Sequence, residues 1–412
     1  MKFTLVNLGC KVNRVDADTM ASQLMALGQE RVLQHEADCI LINTCTVTGG
    51  AEKKTRKAIR RALRESETAA VYVTGCAAVI DQASLEAIDS RVVVEPDKVK
   101  VINDIHERFS AVSPQNTLLT NREVAASHLQ VLRTGEGFPT RVGIKIQDGC
   151  EHACSYCIVH KARGAVWSKN FSEVIEEVCE YERAGVREVI LTGINLGSYL
   201  CESGTEKYDL VSLLHRLLRE TSEVRFRISS IEPCDATLEL AELMADAGGR
   251  ICRHLHLPLQ SGSTKVLNEM ARPYDVGEFC DRVEMLYKTV PGLSLSTDII
   301  VGFPGETDEE FAETLMMVKK CNFSKTHIFP YSPRKGTPAA LRLDQVSSHV
   351  KSARVFELTG LADELRKQNF DVRRGSYEQV LIEEKGKGLS ESYYHIDVPT
   401  NVVVGSLQKL KL

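Results

Sequence analysis

The segment CEHACSYC carries three cysteines, Cys150, Cys154 and Cys157, at a C-x3-C-x2-C spacing. Cysteine thiolates are the usual protein ligands of iron–sulfur clusters. Three ligands for a four-iron cubane leave one iron without a protein ligand, and such an iron can bind and activate another molecule. Structural zinc is the alternative, but it takes four ligands, and His152 or His160 would have to be the fourth. The spacing therefore predicts a metal site and favours a cluster with an open iron.

A second set of three cysteines occupies matching positions near the start of the chain. Cys10 ends the segment FTLVNLGC, Cys45 ends CILINTC and Cys76 ends VYVTGC. Each segment is predicted as a parallel strand, and the carboxyl ends of such strands line one crevice where ligands bind. A single cysteine of this kind indicates an ordinary buried side chain, since cysteine is among the most buried residue types. Three at the same position favour a second cluster.

Alternating strands and helices must position the second set of thiols. Residues 1–112 are predicted to form an α/β domain with a parallel sheet and helices on both faces. The predicted strands are 3–8, 38–44 and 69–74, and the predicted helices are 15–27, 53–65 and one that begins at 84–88. Residues 113–139 lack periodicity and are predicted to be a linker.

Residues 140–370 repeat the alternation on a larger scale. The predicted strands are 142–147, 188–192, 224–229, 253–257, 295–301 and 323–329, with helices such as 172–184, 210–221 and 308–320 between them. Six such units predict a partial (β/α)6 barrel, an incomplete version of the eight-unit barrel. A long helix is predicted at 347–370. Residues 371–412 change to short alternating strands, which predict a small all-β domain.

Polar motifs follow several of the predicted barrel strands. They include LTGIN, SSIEP, HLPLQSG and GFPGET, and barrel active sites collect at this end. We expect Thr192, Gly193, Glu232 and Gln260 to contact a nucleotide-like cofactor there. For GFPGET a structural explanation is equally open, because Thr307 followed three residues later by Glu310 forms a capping box.

One predicted helix, 53–65, has a strongly basic side. Its seven cations fall within about 160° of arc at 100° per residue. We call them the basic face: Lys53, Lys54, Arg56, Lys57, Arg60, Arg61 and Arg64. A solvated charged surface is the simpler explanation. Seven like charges repel one another without nearby anions, however, which favours a polyanion partner such as RNA.

Composition indicates which partners and which cellular compartment are compatible with this chain. The 412 residues are 43% hydrophobic and 26% charged, with a formal net charge of −5, so a nucleic acid must be bound by a local patch. No apolar run approaches the ~18 residues of a membrane span. Thirteen cysteines, an odd number without the spacing of a small disulfide scaffold, are typical of a reducing compartment. We therefore expect a cytoplasmic protein.

Four sequence blocks, in order, resemble those of the radical-SAM methylthiotransferases. The blocks are LGCKVN (8–13), NTCTVT (43–48), VTGC (73–76) and CEHACSYC (150–157), and the resemblance covers essentially the whole chain. The all-β tail resembles the family's RNA-binding TRAM module. LGCKVN looks most like the branch that modifies N6-threonylcarbamoyladenosine (t6A) beside the tRNA anticodon.

The resemblance implies cofactors and a mechanism. It implies a radical-SAM 4Fe–4S cluster on the three cysteines of CEHACSYC and an auxiliary 4Fe–4S cluster on Cys10, Cys45 and Cys76. S-adenosylmethionine (SAM) would serve as radical source and as methyl donor, and a methylthio group would be inserted at C2 of the adenine. Tyr156 would lie near the SAM adenine. An electron donor such as flavodoxin or ferredoxin is also implied.

The chain departs from the family after Cys157. The family commonly reads Ile-Pro-x-x-Arg-Gly, whereas residues 158–164 are IVHKARG, with His160 in place of the proline. Three alternatives therefore stay open: another tRNA adenosine derivative as substrate, a ribosomal protein as substrate, or a non-enzymatic zinc-bearing RNA-binding module. Trp167, the only tryptophan, is suited to stacking on a base or to ordinary packing.

Overall fold

A computed structural model describes residues 1–46, 49–109 and 140–412. The linker predicted at 113–139 lies outside the described residues. The chain divides into two compact units. Of the described residues, unit 1 comprises 1–46, 49–109, Gly149–Glu151 and Ile158–Ala165, and unit 2 comprises 140–148, His152–Cys157 and Val166–Leu412.

Unit 1 contains a parallel five-stranded sheet in the order β2-β1-β3-β4-β5, as the α/β pattern predicts. Its strands are β1 (Lys2–Asn7), β2 (Glu30–Arg31), β3 (Cys39–Thr44), β4 (Ala70–Gly75) and β5 (Val92–Val94). The helices are α1 (Lys11–Ala26), α2 (Gly49–Glu65), α3 (Cys76–Ile80), α4 (Gln82–Glu86), α5 (Lys98–Phe109) and α6 (Val159–Arg163).

Both faces of this sheet are buried. Ile40 and Ile42 of β3 belong to one apolar cluster, while Leu41, between them, belongs to another with Phe3 and Tyr72. Successive strand residues point to opposite faces, so a continuous apolar run indicates a strand that is covered on both sides. This burial fixes the strand register, and the register fixes where each strand ends.

Unit 2 contains the partial barrel. Its six parallel strands are β6 (Arg141–Lys145), β9 (Glu188–Thr192), β12 (Arg225–Ile228), β13 (His254–His256), β14 (Ser294–Val301) and β15 (Lys325–Pro330). The strands β6, β9 and β12 form one ladder and β13, β14 and β15 another. Isolated parallel bridges, Phe226 with Ile251 and Ser230 with His256, join the two ladders. The predicted six-unit barrel is confirmed.

Helices and two hairpins complete the barrel. The helices are α7 (Phe171–Arg183), α8 (Leu210–Glu220), α9 (Leu238–Asp246), α10 (Thr264–Glu269), α11 (Val276–Thr289), α12 (Asp308–Cys321) and α13 (Ser348–Arg373). The hairpins pair β7 (Gln147–Asp148) with β8 (Trp167–Ser168) and β10 (Leu200–Ser203) with β11 (Glu206–Asp209). None of the described helices is both long enough and apolar enough to cross a membrane.

The tail forms an antiparallel sheet in the order β18-β17-β16-β19, as its alternating pattern predicts. Its strands are β16 (Tyr377–Glu384), β17 (Lys387–Ser390), β18 (His395–Asp397) and β19 (Leu407–Lys411). The tail packs on the amino ends of the barrel strands. Arg141, which begins β6, pairs with Glu383 at 2.8 Å, and Arg253, just before β13, pairs with Glu391 at 2.8 Å.

Candidate active site

The three thiols of the first domain follow neighbouring strands. Thr44 of β3 pairs with Gly75 of β4, so Cys45 and Cys76 leave the sheet at the same level. Cys10 lies three residues beyond Asn7, which pairs with Asn43, and is the N-cap of α1. Cys45 and Cys76 are buried, while Cys10 is exposed. The sheet therefore brings all three cysteines to one edge.

A polar network ties these strand ends together. Asn13 Nδ2 donates to the Thr44 carbonyl at 2.7 Å, and Asn43 Nδ2 donates to the Asn13 carbonyl at 2.7 Å. The Thr44 hydroxyl accepts from the Ala77 N–H at 3.2 Å. Gly75 has φ +90, and a Cβ there would lie 2.5 Å from Asn43 Oδ1, so only glycine fits this approach. The network holds the edge that carries the thiols.

A buried arginine supplies positive charge to this edge. Arg163, on α6 of unit 1, donates to Asn13 Oδ1 and lies 3.5 Å from Asp16 Oδ2. Burial raises the pKa of Cys76, and the charge of Arg163 lowers it in part. Thiolates are the form that binds metal, and a neighbouring cation favours them. The donor set fits a cluster held by thiolates.

The CEHACSYC loop is fixed by Ser155. Its N–H donates to the Met270 carbonyl at 2.9 Å and its hydroxyl to the Glu269 carbonyl at 2.7 Å. Its own carbonyl accepts from the Ala339 N–H at 2.9 Å. The loop turns so that the Cys157 N–H donates to the Cys154 carbonyl at 3.0 Å. In unit 1, the Cys150 N–H donates to the Gly164 carbonyl at 3.3 Å.

Arg272 contacts a thiol of this loop directly. Its Nη1 donates to Cys154 Sγ at 3.2 Å, its Nε donates to the Tyr274 hydroxyl at 3.0 Å, and its Nη2 donates to Glu232 Oε2. Arg272 is buried. A buried guanidinium stabilises negative charge on its partners, so this environment fits a metal-bound thiolate.

The carboxyl ends of β6, β9 and β12 are joined by side chains. Gln147 Oε1 accepts from the Ile194 and Asn195 N–H groups at 2.8 and 2.9 Å, and Asn195 Oδ1 accepts from the Glu232 N–H at 3.0 Å. A Cβ at Gly193 would lie 2.7 Å from Gln147 Oε1. Burial raises the pKa of Glu232 despite the adjacent Arg272.

The five predicted SAM contacts lie at the ends of four barrel strands, β6, β9, β12 and β13, or in the segments that follow them. Thr192 is the last residue of β9, and Gly193 follows it. The Glu232 N–H donates to Asn195 Oδ1, and the Glu232 carboxylate accepts from Arg272. Tyr156 packs against an apolar cluster that includes Met270 and Phe303, and burial raises its pKa. Gln260 follows β13, and its N–H donates to the Asp298 carbonyl at 2.8 Å, with φ +68.

The basic face lies on α2 as predicted. Six of its seven cations are exposed, whereas Arg56 is half-buried and pairs with Asp81 at 2.7 Å. Arg61 pairs with Glu65 at 2.6 Å. Thr55, Ile59 and Ala62 are buried on the opposite side, as the helical projection requires. The surface keeps a dense row of accessible positive charge.

Sequence reasoning missed Arg272, Asn13 and the role of Arg163. Arg272 lies 118 residues from its partner Cys154, so no spacing rule connects them. Arg163 stands beside Gly164 in the Arg-Gly pair that the chain shares with the family, and that match was the available signal.

Two regions of the chain match known protein families. Residues 144–318 match the Radical SAM superfamily, and residues 2–95 match the uncharacterized protein family UPF0004. A solved structure of the radical S-adenosylmethionine methyltransferase TsrM from Kitasatospora setae has the same fold over 82% of this chain and 75% of that one, with a TM-score of 0.55 and 16% identity.

Two curated relatives align over nearly the whole chain. "Threonylcarbamoyladenosine tRNA methylthiotransferase MtaB" of Bacillus subtilis is 37% identical over 98% of this chain and 92% of its own. "tRNA-2-methylthio-N(6)-dimethylallyladenosine synthase" of Protochlamydia amoebophila is 32% identical over 100% and 93%. The chain therefore belongs to the radical-SAM tRNA methylthiotransferases, enzymes that use SAM and 4Fe–4S clusters.

Proposed function

We propose that the protein inserts a methylthio group at C2 of t6A beside the tRNA anticodon. The observation that carries this proposal is the relative named for that nucleoside, which is 37% identical, against 32% for the one named for dimethylallyladenosine. The block LGCKVN, which contains Cys10, favours the same branch. The thirteen cysteines suit a reducing cytoplasm, where we expect the enzyme to act.

We assign the radical-SAM cluster to Cys150, Cys154 and Cys157 and the auxiliary cluster to Cys10, Cys45 and Cys76. When bound, the clusters and SAM supply a carbon-centred radical, the sulfur and the methyl group. The residues of the chain position these groups and set the electrostatic environment around them. Arg272 stabilises thiolate at Cys154, and Arg163 does so at Cys76.

The strand ends of unit 2 suit the SAM contacts. Gly193 lets the backbone approach a ligand closely, and Thr192 lies beside it on β9. Glu232 offers a carboxylate that Arg272 holds in place. We expect this carboxylate to bind the amino group or ribose of SAM, while Tyr156 and Gln260 line the site from other elements. We also propose that a protein such as flavodoxin or ferredoxin donates the electron.

Iron and sulfide analysis tests the cluster assignment. Anaerobically purified full-length protein should contain about eight irons per chain, two cubanes. A Cys10→Ser, Cys45→Ser, Cys76→Ser variant should keep about four. Zinc in place of iron would instead support the RNA-binding module, and equal iron content in the two proteins would reject the second cluster.

Mass spectrometry of tRNA nucleosides tests the substrate. Cells that lack the protein should lose 2-methylthio-t6A, and the intact gene should restore it. Loss of the 2-methylthio dimethylallyl nucleoside alone would reassign the substrate to another tRNA adenosine. An unchanged nucleoside profile, with a methylthiolated ribosomal protein lost instead, would contradict a tRNA substrate.

Binding assays test the basic face. Lys57→Ala, Arg60→Ala and Arg64→Ala together should weaken tRNA binding and lower the salt slope by roughly 2–3, since each phosphate contact contributes about 0.7–0.9. The matched control replaces three exposed lysines on α12 and α13, Lys319, Lys320 and Lys367, with alanine. Equal effects of the two triple variants would show that total charge, not this helix, governs binding.

A further inference from the structure

Three side chains on the barrel strands β13, β14 and β15 form a cluster that the proposed function does not use. They are His256, Asp298 and His327, and one ligand atom from each lies within 4.8 Å of the others. Parallel pairing places them together: His256 pairs with Ser296, and Asp298, two residues further along β14, pairs with His327. All three therefore project from one face of the sheet.

The distances suit ligands of one metal ion. His256 Nε2 lies 3.4 Å from Asp298 Oδ2, and the rings of His256 and His327 are 5.8 Å apart. Ligands about 2.0–2.2 Å from zinc in a tetrahedron are roughly 3.3–3.6 Å from one another. His256 and Asp298 already stand at this separation. His327, the third member of the cluster, is exposed.

Hydrogen bonds orient His256 for this role. The Ser296 hydroxyl lies 3.0 Å from His256 Nδ1 and 3.1 Å from His254 Nε2, and it can donate its single proton to the Leu255 carbonyl at 3.4 Å. Its oxygen then accepts from both rings. With this proton arrangement His256 Nε2 presents a lone pair to the Asp298 carboxylate, and a metal cation between the two would bind both.

We propose that His256, Asp298 and His327 bind a divalent transition metal, a site separate from both clusters. Two imidazoles and one carboxylate form a set that zinc and ferrous sites use. Ser296 is the outer partner that fixes the first histidine, as such ligands usually require. Three protein ligands leave a tetrahedral ion one position for a non-protein oxygen or nitrogen ligand.

Zinc is the probe for this site. The full-length holoprotein, with clusters loaded, is dialysed against zinc chloride, and zinc, iron and sulfide are measured on the same sample. We expect one zinc per chain in addition to the cluster iron. X-ray absorption at the zinc edge should show only nitrogen and oxygen ligands near ~2.0 Å, whereas zinc on cysteines would show sulfur near ~2.3 Å.

Variants assign the zinc to residues. His327→Ala and Asp298→Asn should each weaken zinc binding at least about tenfold, and Ser296→Ala should weaken it roughly 10–100-fold. His349→Ala, an exposed histidine at the start of α13, is the matched control and should bind like the wild type. Circular dichroism and iron content verify that each variant is folded and loaded.

Three results would overturn the proposal: no zinc bound, a ligand shell that contains sulfur, or zinc retained equally by His327→Ala and Asp298→Asn. The test is independent of the proposed function, because zinc is counted whether or not SAM is cleaved or tRNA is modified.

Discussion

Glu188 is the residue whose neutralisation should most disturb the attachment of the tail to the barrel. It begins β9, is fully buried, and lies between two equally buried arginines. Arg225 Nε donates to Glu188 Oε2 at 2.6 Å, and Arg227 Nε donates to Oε1 at 2.8 Å. Arg225 Nη1 also donates to the Gln379 carbonyl at 2.7 Å, and Arg227 Nη2 to the Ser390 carbonyl at 3.1 Å. The carboxylate thus holds the two guanidiniums that hold the tail.

The magnitude follows from removing one charge of a buried group. Burial alone would raise the pKa of Glu188, but Arg225 and Arg227 outweigh burial and lower it below the ordinary value of 4.5. Glu188→Gln keeps the size of the side chain and leaves two buried cations without their anion. Breaking a buried pair in this way costs about 3–5 kcal/mol. The free energy of unfolding of unit 2 should fall by that amount.

Urea unfolding followed by circular dichroism measures this loss, and hydrogen exchange of the amides in β16 and β17 reports the tail. We expect faster exchange there in Glu188→Gln. Because the folded pKa is depressed, the wild-type advantage is full above the unfolded pKa near 4.5 and disappears as pH falls toward the folded value. Glu202→Gln, which breaks a fully exposed pair with Lys207, is the control and should change little.

Unfolding of Glu188→Gln at the wild-type urea concentration, with unchanged hydrogen exchange in the tail, would contradict this prediction. That outcome would mean that the tail carbonyls alone hold the two arginines. Replacing Glu188, Arg225 and Arg227 together with apolar residues separates charge from packing, since such replacements are often neutral. A triple variant as unstable as Glu188→Gln would instead indicate lost hydrogen bonds to the tail.

Three further predictions concern the site and its scaffold. Gly193→Ala should weaken SAM binding more than tenfold in equilibrium dialysis, because its Cβ would lie 2.7 Å from Gln147 Oε1; unchanged affinity would mean that Gln147 moves aside freely. Arg272→Met should lower the iron retained after gel filtration while Arg282→Met does not, since only the first guanidinium contacts Cys154. Thr307→Ala should cost about 1 kcal/mol in urea unfolding through loss of the observed capping box, and Thr307→Ser should restore most of it.

The strand ends could be predicted from the sequence because they depend on local patterns. Continuous apolar runs mark strands buried on both sides, and parallel strands share a carboxyl edge. Cys45 and Cys76 lie at the same level because the runs before them end at paired residues. The capping box at Thr307 and Glu310 was equally local, and the structure contains it.

Contacts between distant segments could not be predicted in this way. Arg272 reaches Cys154 across 118 residues, and Arg225 reaches the Leu389 carbonyl across 164. Nothing in the sequence near either arginine distinguishes it from a surface cation. The residues of the short strand β17, Lys387–Ser390, have no alternating apolar pattern that would predict a strand. Its pairing with β16 on one side and β18 on the other supplies the stability that its composition does not.

The barrel separates stability from chemistry along its strands. Glu188 is the first residue of β9 and Thr192 is the last. At a rise of ~3.3 Å per residue, the carboxylate that anchors the tail lies about 13 Å from the candidate SAM contacts. The tail is therefore attached at the end opposite to these contacts. Direct contacts with the reacting base must instead come from residues at the carboxyl ends of the strands.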